Sequence, residues 1–231
     1  MTTIVEPRVE LIAHTTLACD GRSPAIEGHM SLDPDAGDMQ QLVEFAGRSC
    51  YESWSKPNPA TARNKDYIAR TLHGRKHWSI AEHASATFYI TGVSRALTHE
   101  LVRHRHLSYS QLSQRFVDES DANIVIPPAA RGSEKLMWEF ENAAAGARHS
   151  YRELVEALSD SGLTRKQARE AARAVLPNMV ETRIVVTGNL RAWHEVIERR
   201  TAPDADAEFQ EVAGMIRDEL QKLAPEVFPA P

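Results

Sequence analysis

The β-forming runs of this chain are few, short and scattered among helical stretches, and that scatter limits its fold more than any other feature. The clearest is Glu181 to Thr187, which carries Ile184-Val185-Val186; consecutive β-branched residues suit a pleated, packed surface. Val9 to Ala13 and the partly alternating Ala84 to Thr91 predict two more strands. Between them, apolar residues recur at helical spacing. Leu42, Phe45 and Ala46 do so in Asp38 to Cys50, Ile68 and Leu72 in Asn64 to Gly74, and Leu136, Phe140, Tyr151, Leu154 and Leu158 in Ser133 to Leu158. Thr164 to Leu176, Asn189 to Arg200 and Glu208 to Leu223 add further helices. Local punctuation agrees. Ser94 is placed to cap a helix carrying Ala96, Leu97 and Leu101, Thr164 and Gln167 have the form of a capping box, and Gly74 and Pro177 stand where helices should stop. Ser53 to Pro59, with Pro57 inside it, is turn chemistry. Without internal repeats or a flexible linker, the expectation is an α+β fold. It is a single domain over residues 1–231 with a mixed, mainly antiparallel sheet flanked by helices.

Composition narrows the function classes. A chain of 231 residues is long enough to bury a core without disulfide support. Its 42% apolar and 26% charged residues argue against wholesale disorder. No apolar run approaches the roughly 20 residues that span a bilayer. Met1 to Pro7 lacks a basic segment leading into an apolar one, so a cytoplasmic protein with no membrane partner is expected. Cys19 and Cys50 form no C-x-x-C pair and suit a reducing compartment. With 27 Lys+Arg against 32 Asp+Glu, the net charge of -5 has the wrong sign for a protein held on nucleic acid mainly by phosphate attraction.

The eleven glycines are too far apart to write G-x-G-x-x-G or a P-loop anywhere. A bound nucleotide would therefore be held by side chains, and the richest supply is Arg103 to Phe116. Those fourteen residues hold three arginines, two histidines, three serines, two glutamines and a tyrosine, with Leu107, Leu112 and Phe116 as the only packing anchors. If extended, Arg103 and Arg105 project to one side and His104 to the other, so two guanidiniums converge on one polyanion. A solvated basic loop is the plain alternative.

Metal chemistry finds little support. His73 and His77 are four apart, but Gly74 should end their helix between them. His99-Glu100-Leu101-Val102-Arg103-His104 has one residue too many for H-E-x-x-H, which rotates the second histidine off the ligand face. No metal site is expected.

The pattern Arg-His-Arg-x-x-Ser-x-x-x-x-Ser-x-Arg, here Arg103, His104, Arg105, Ser108, Ser113 and Arg115, resembles the signature of the flavin-dependent thymidylate synthases. Phe116 follows where that family more often has tyrosine, a loss of one hydroxyl. Cys50 to Pro59, His77 to His83, the helix end Arg173 to Pro177 and Asn189 to Trp193 are similar to family sequence in family order. The resemblance thus runs from about Arg8 to Leu223. It implies that family's fold and the reductive methylation of dUMP to dTMP in de novo thymidylate biosynthesis. The carbon would come from methylenetetrahydrofolate and the electrons from NADPH through bound FAD. A homotetramer with active sites shared between subunits is implied as well. Carried over position by position, Ser79, Arg103, His104, Arg105, Gln111, Asn189, Leu190 and Arg191 would contact FAD, and Glu195 stands where Asn or His commonly touches the flavin. For dUMP the matching positions are Glu100, Leu101, Val102, Arg103, Gln111, Leu112, Ser113, Gln114, Arg115 and Arg173. Arg200 corresponds to the catalytic arginine at the uracil ring, which helps form or stabilise the N3-deprotonated pyrimidine.

The residue chemistry bears on that assignment. Neither cysteine sits among the cations that lower a thiol pKa. Reduced flavin offers a route to the C5 carbon that needs no protein thiolate. Arginine is a poor neutral base, so Arg200 is cast as a fixed cation favouring the enolate form. On the helix from Asn189 the apolar stripe Trp193, Val196, Ile197 puts Arg200 on the packed side, where it needs an anionic partner. The alternative is that Arg199 is functional and Arg200 pairs with a nearby glutamate. Arg165, Arg169 and Arg173 form a basic stripe that would ordinarily be a solvated face. Glu195, and Asp204 in place of a usual histidine, leave open an inactive family member. A non-catalytic nucleotide- or RNA-binding module, with Tyr109 stacking a base, is the remaining alternative.

Overall fold

A computed structural model describes residues 3–56 and 58–230. Met1 and Thr2 of the expected start, and Pro57 of the expected turn, lie outside the described residues. Strand β1 (Arg8–His14), the short helix α1 (Pro24–Glu27), α2 (Asp38–Ser49) and α3 (Asn64–Ile68) lead into strand β2 (Ser85–Ser94) and α4 (Arg95–Leu101). Strand β3 (Leu107–Gln111) follows, then α5 (Glu134–Asp160), α6 (Arg165–Ala172), β4 (Glu181–Asn189), α7 (Leu190–Arg200) and α8 (Ala207–Leu223). The four strands form one sheet in the order β1-β2-β4-β3, and every strand pair is antiparallel. The α+β expectation holds. The parallel component of the expected mixed sheet is reduced, among the described residues, to an isolated bridge between Ile4 and Ile124.

The two central strands carry the core. In β2 and β4 alternate residues turn inward, so Phe88, Ile90, Ile184 and Val186 are fully buried, while Thr87 and Thr187 pair hydroxyls at 2.9 Å on the other face. Trp193 of α7 packs edge-on to Phe88 with ring centroids 5.1 Å apart, and its indole N–H donates to the Ala86 carbonyl at 3.1 Å. Burying an aromatic this way contributes about 1.5–3 kcal/mol or more. Phe209, Val212, Ile216 and Leu220 of α8 complete the same cluster. Gly188 lets β3 and α7 close on β4, since a Cβ there would lie 2.1 Å from Leu107 Cδ2 and 3.1 Å from the Trp193 indole nitrogen. Gly92 has φ +66, and a Cβ would meet the Glu6 carbonyl oxygen at 1.9 Å. A second, smaller cluster of Ile124, Ile126, Ala130 and Ala144 lies under α5. No helix among the described residues is long and apolar enough to cross a membrane.

The expected helix ends are realised by their side chains. Ser94 Oγ accepts from the Leu97 N–H, Ser133 Oγ from Leu136, and Thr164 and Gln167 form the reciprocal capping box. Two expected helices are shorter and end in tighter or wider turns. Asn64 to Gly74 is α3 followed by a π turn over Ala69–Gly74, and Thr164 to Leu176 is α6 followed by a 3-10 turn over Arg173–Val175. Strand β3 has no counterpart among the expected strands. It lies inside the polar run, where only Leu107 and the half-buried Tyr109 mark an inward face.

Candidate functional site

Residues 103–106 do not extend. As α4 ends, the Arg103 N–H donates to the Glu100 carbonyl and the His104 N–H to that of Leu101, and β3 begins only at Leu107. The expected opposite projection of His104 and the two arginines is thereby replaced by a turn. The Tyr109 hydroxyl lies within donor reach of the carbonyls of Leu101 and His104, at 2.7 and 2.6 Å, and pins that turn. Burial pushes its pKa up to about 12. With hydroxyl and ring both committed, Tyr109 is not a free stacking platform, which removes the main support for the RNA-binding alternative.

Arg103, His104, Arg105 and His106 line one cleft of about 240 Å³ with Leu107, Ala192, Glu195 and Arg199. A second cavity, bordered by Glu82, His106, Asn189 and Arg191, and a third, bordered by Lys76, His77, Trp78, Ser79, Arg191, His194 and Glu198, meet it at Glu195. Helix α7 organises all three. It starts directly at the end of β4, where Asn189 Oδ1 accepts the Ala192 N–H at 2.8 Å. Arg191 then reaches Glu82 at 2.5 Å and Glu195 at 3.8 Å. Glu195 is therefore paired, as a carboxylate near an anionic ligand must be. His194 stacks on Trp78 with centroids 3.7 Å apart, and burial, more than any neighbouring charge, lowers its pKa.

Arg200 joins this cleft through His104. Its Nε donates to His104 Nε2 at 3.1 Å, its Nη1 bonds Glu100, and its guanidinium lies 4.7 Å from the centroid of the Phe209 ring. Burial, reinforced by Arg200 and Arg199, lowers the His104 pKa to about 4. At neutral pH the imidazole is therefore uncharged and accepts at Nε2, so its proton sits on Nδ1. The glutamate pairing foreseen for Arg200 is present, and Arg199, not Arg200, lines the cleft wall.

The remaining residues carried over for dUMP fall elsewhere. Leu107 pairs with Gly188 at the cleft, whereas Gln111 pairs with Ile184, four residues along the strand and about 13 Å away. The Gln111 amide nitrogen is spent on the hydroxyls of Thr98 and Thr182. Gln114 is buried with Nε2 unpartnered among the described residues, Arg115 reaches Glu170 at 3.8 Å, and Leu112 and Ser113 are half-buried. Leu101 and Leu190 are fully buried in the core, while Val102 is exposed. Phe116 is exposed and sits under Lys166 at 5.1 Å. Asp204 is exposed in the turn beyond α7 and borders none of these three cavities.

Two members of the basic stripe are tied into the fold, while Arg165 stays exposed. Arg169 bonds the Phe116 carbonyl at 2.7 Å and Asp118 at 2.6 Å, clamping the loop after the polar run. Arg173, half-buried in the 3-10 turn, is close enough to Arg95 to lower its pKa, although burial is the larger cause. Arg95 was not expected here. Its Nη1, Glu119 Oε1 and Gln114 Nε2 are all buried without partners among the described residues. One sequence signal pointed to it: an arginine in the first turn of α4 opposes the helix dipole, a position that ordinarily favours acids.

Comparison with known proteins gives one consistent result. Residues 34–226 match the family described as Thymidylate synthase complementing protein. A flavin-dependent thymidylate synthase of Mycobacteroides abscessus is 51% identical over 99% of this chain and 91% of its own length. The proteins of that name from Mycolicibacterium gilvum, 50% identical over 99% and 91%, and Mycobacterium tuberculosis, 49% identical over 96% and 88%, are similar to the same degree.

Proposed function

We propose that this chain, which belongs to the flavin-dependent thymidylate synthase family, methylates dUMP reductively to dTMP. FAD is its cofactor, methylenetetrahydrofolate the carbon donor and NADPH the reductant, within one domain over residues 1–231. The observation that carries this reading is the cleft where α7 meets the turn 103–106. Arg103 and Arg105 line it without a carboxylate partner among the described residues, and Arg200 is tied to the same turn through His104.

The donor set suits an anionic dinucleotide. Arg103 and Arg105 would hold phosphate oxygens by charge-assisted hydrogen bonds, with Ser79, Asn189 and the Glu82-anchored Arg191 along the adjoining walls. Glu195 is the residue that fits least well, and its pairing with Arg191 offsets its charge. The flavin, when bound, supplies the reducing equivalents that turn a transferred methylene into a methyl group. The protein's part is electrostatic. Arg200 stays charged, so it stabilises negative charge on the uracil ring and does not remove the proton itself. Neutral His104 accepts from Nε and Glu100 from Nη1, and together they fix the plane of the guanidinium.

The second group, Gln111 to Arg115 with Arg173, would hold dUMP. Its distance from the cleft along β3 supports active sites shared between subunits of a homotetramer, because one chain keeps the two groups apart. Cytoplasmic location belongs to the same proposal, and the free, exposed thiols of Cys19 and Cys50 support a reducing compartment. The test is an anaerobic assay with dUMP, methylenetetrahydrofolate and NADPH. dTMP formation with flavin reoxidation is expected; FAD-loaded protein that forms no dTMP would overturn the reading.

A further inference from the structure

Beyond His77 the cleft system opens into another cavity of about 230 Å³, with Tyr51, Thr71, Arg70 and Arg75 around it; His77 borders this cavity and the one holding Ser79 and Arg191. Two backbone irregularities shape the junction. The π turn over Ala69–Gly74 lets the Arg75 N–H donate to the Arg70 carbonyl at 2.9 Å, which brings both arginines to one side of the cavity. Lys76 has φ +59, a left-handed conformation that a lysine holds only when its surroundings impose it.

The charges here differ from those nearby. Arg48 is bonded to Glu44, Arg63 to Asp66, and Lys56 lies 3.5 Å from Glu44. Arg70, Arg75 and Lys76 make no ion pair and no side-chain hydrogen bond among the described residues. Arg70 and Arg75 line this cavity and Lys76 the adjoining one, so the like charges repel, and an anion arriving beside the two arginines relieves that repulsion. The Tyr51 and Tyr67 side chains supply an apolar wall, so the cavity suits a chain with anionic ends more than a small inorganic ion.

We propose that this cavity binds the anionic end of a co-substrate whose reactive part lies in the cleft. The shared chemistry is a cluster of acidic oxygens on a flexible arm, supplied either by the γ-linked glutamates of a folate or by the 2′-phosphate of NADPH. The assignment rests on the co-substrates proposed above. Arg70 and Arg75 grip those oxygens, and Lys76 and His77 guide the arm past the bend.

The test compares wild type with the double variant Arg70→Gln, Arg75→Gln, both exposed positions whose loss leaves the core intact. KM is measured for monoglutamyl and polyglutamyl methylenetetrahydrofolate, and for NADPH and NADH. A fall of about tenfold in the preference for the polyglutamyl form identifies the folate tail, and the same fall in the preference for NADPH identifies the phosphate. If both preferences stay as in wild type, the proposal is wrong. Should the wild-type protein make no dTMP, the functional reading fails separately. Equilibrium binding of polyglutamyl folate and of 2′-phospho-ADP-ribose to both proteins then decides the cavity, and equal affinities for both probes overturn it.

Discussion

Arg48 and Arg200 each stand in the last turn of a helix, where a cation is favoured, and each meets a glutamate, yet they are held in different ways. Arg48 is enclosed. Its Nε bonds Glu44 at 2.6 Å, its Nη1 and Nη2 bond the carbonyls of Ser53 and Thr61, and its face lies 4.5 Å from the Tyr67 ring centroid. The second oxygen of Glu44 takes the Asn64 amide at 2.9 Å, so the whole network is closed by the chain itself. Arg200 is enclosed on one side only. Glu100, His104 and Phe209 hold it, but 21% of its side chain is exposed, and Nη2 has no partner among the described residues. A guanidinium with every direction satisfied builds structure, while one with a direction left over can still bind something.

Breaking each arginine should therefore give unlike results. Arg48→Met leaves the buried Glu44 carboxylate with only the Asn64 amide and Lys56 at 3.5 Å, and should cost about 3–5 kcal/mol of stability, read as a lower urea midpoint. A midpoint within experimental error of wild type would mean that the network is no more than incidental. Arg200→Ala should keep the fold and bound flavin but lower dTMP turnover about 100-fold, and Arg200→Lys should rescue it poorly, because an ammonium cannot address two acceptors in one plane. Unchanged turnover would move the role to Arg199.

A smaller effect sharpens the contrast through pH. His104 titrates near 4 in the folded chain and near 6.5 when unfolded. Above pH 6.5 it is neutral in both states and contributes nothing. Between 6.5 and 4 the unfolded chain takes up a proton that the folded chain refuses, so this residue lowers stability as pH falls, and below 4 the loss is complete. Urea midpoints followed from pH 7 to 4.5 should fall less steeply for His104→Gln than for wild type; parallel curves would show that His104 is not the group held neutral.

Much of the fold could be read from local residues because its determinants are local. Ser94, Ser133 and the Thr164/Gln167 pair cap helices within three positions, and the β-branched run Ile184-Val185-Val186 suits the central strand in which it lies. Strand β3 could not be read this way. Ser108, Ser110 and Gln111 carry no apolar alternation, and the strand exists because Leu107 packs over Gly188 and because β4 offers a free edge. The site divides similarly. The Arg103-His104-Arg105 motif located the cleft, but the turn that bends it depends on Tyr109 bonding carbonyls five and eight positions back. Within the stripe Arg165, Arg169, Arg173, the engagement of Arg169 is hidden because its partners, Asp118 and the Phe116 carbonyl, lie about fifty residues away in sequence, while Arg165 is exposed. Arg95 and Glu119 likewise come within electrostatic range of each other only through the fold.

The central claim is that guanidinium groups of the turn 103–106 hold the flavin beside α7. It is tested most directly by titrating apoprotein with FAD and following the visible absorbance of the bound cofactor, for wild type and Arg103→Ala. Saturable binding by wild type that is largely lost in a variant of unchanged thermal stability is the predicted result. Equal FAD affinity in the two proteins would contradict it.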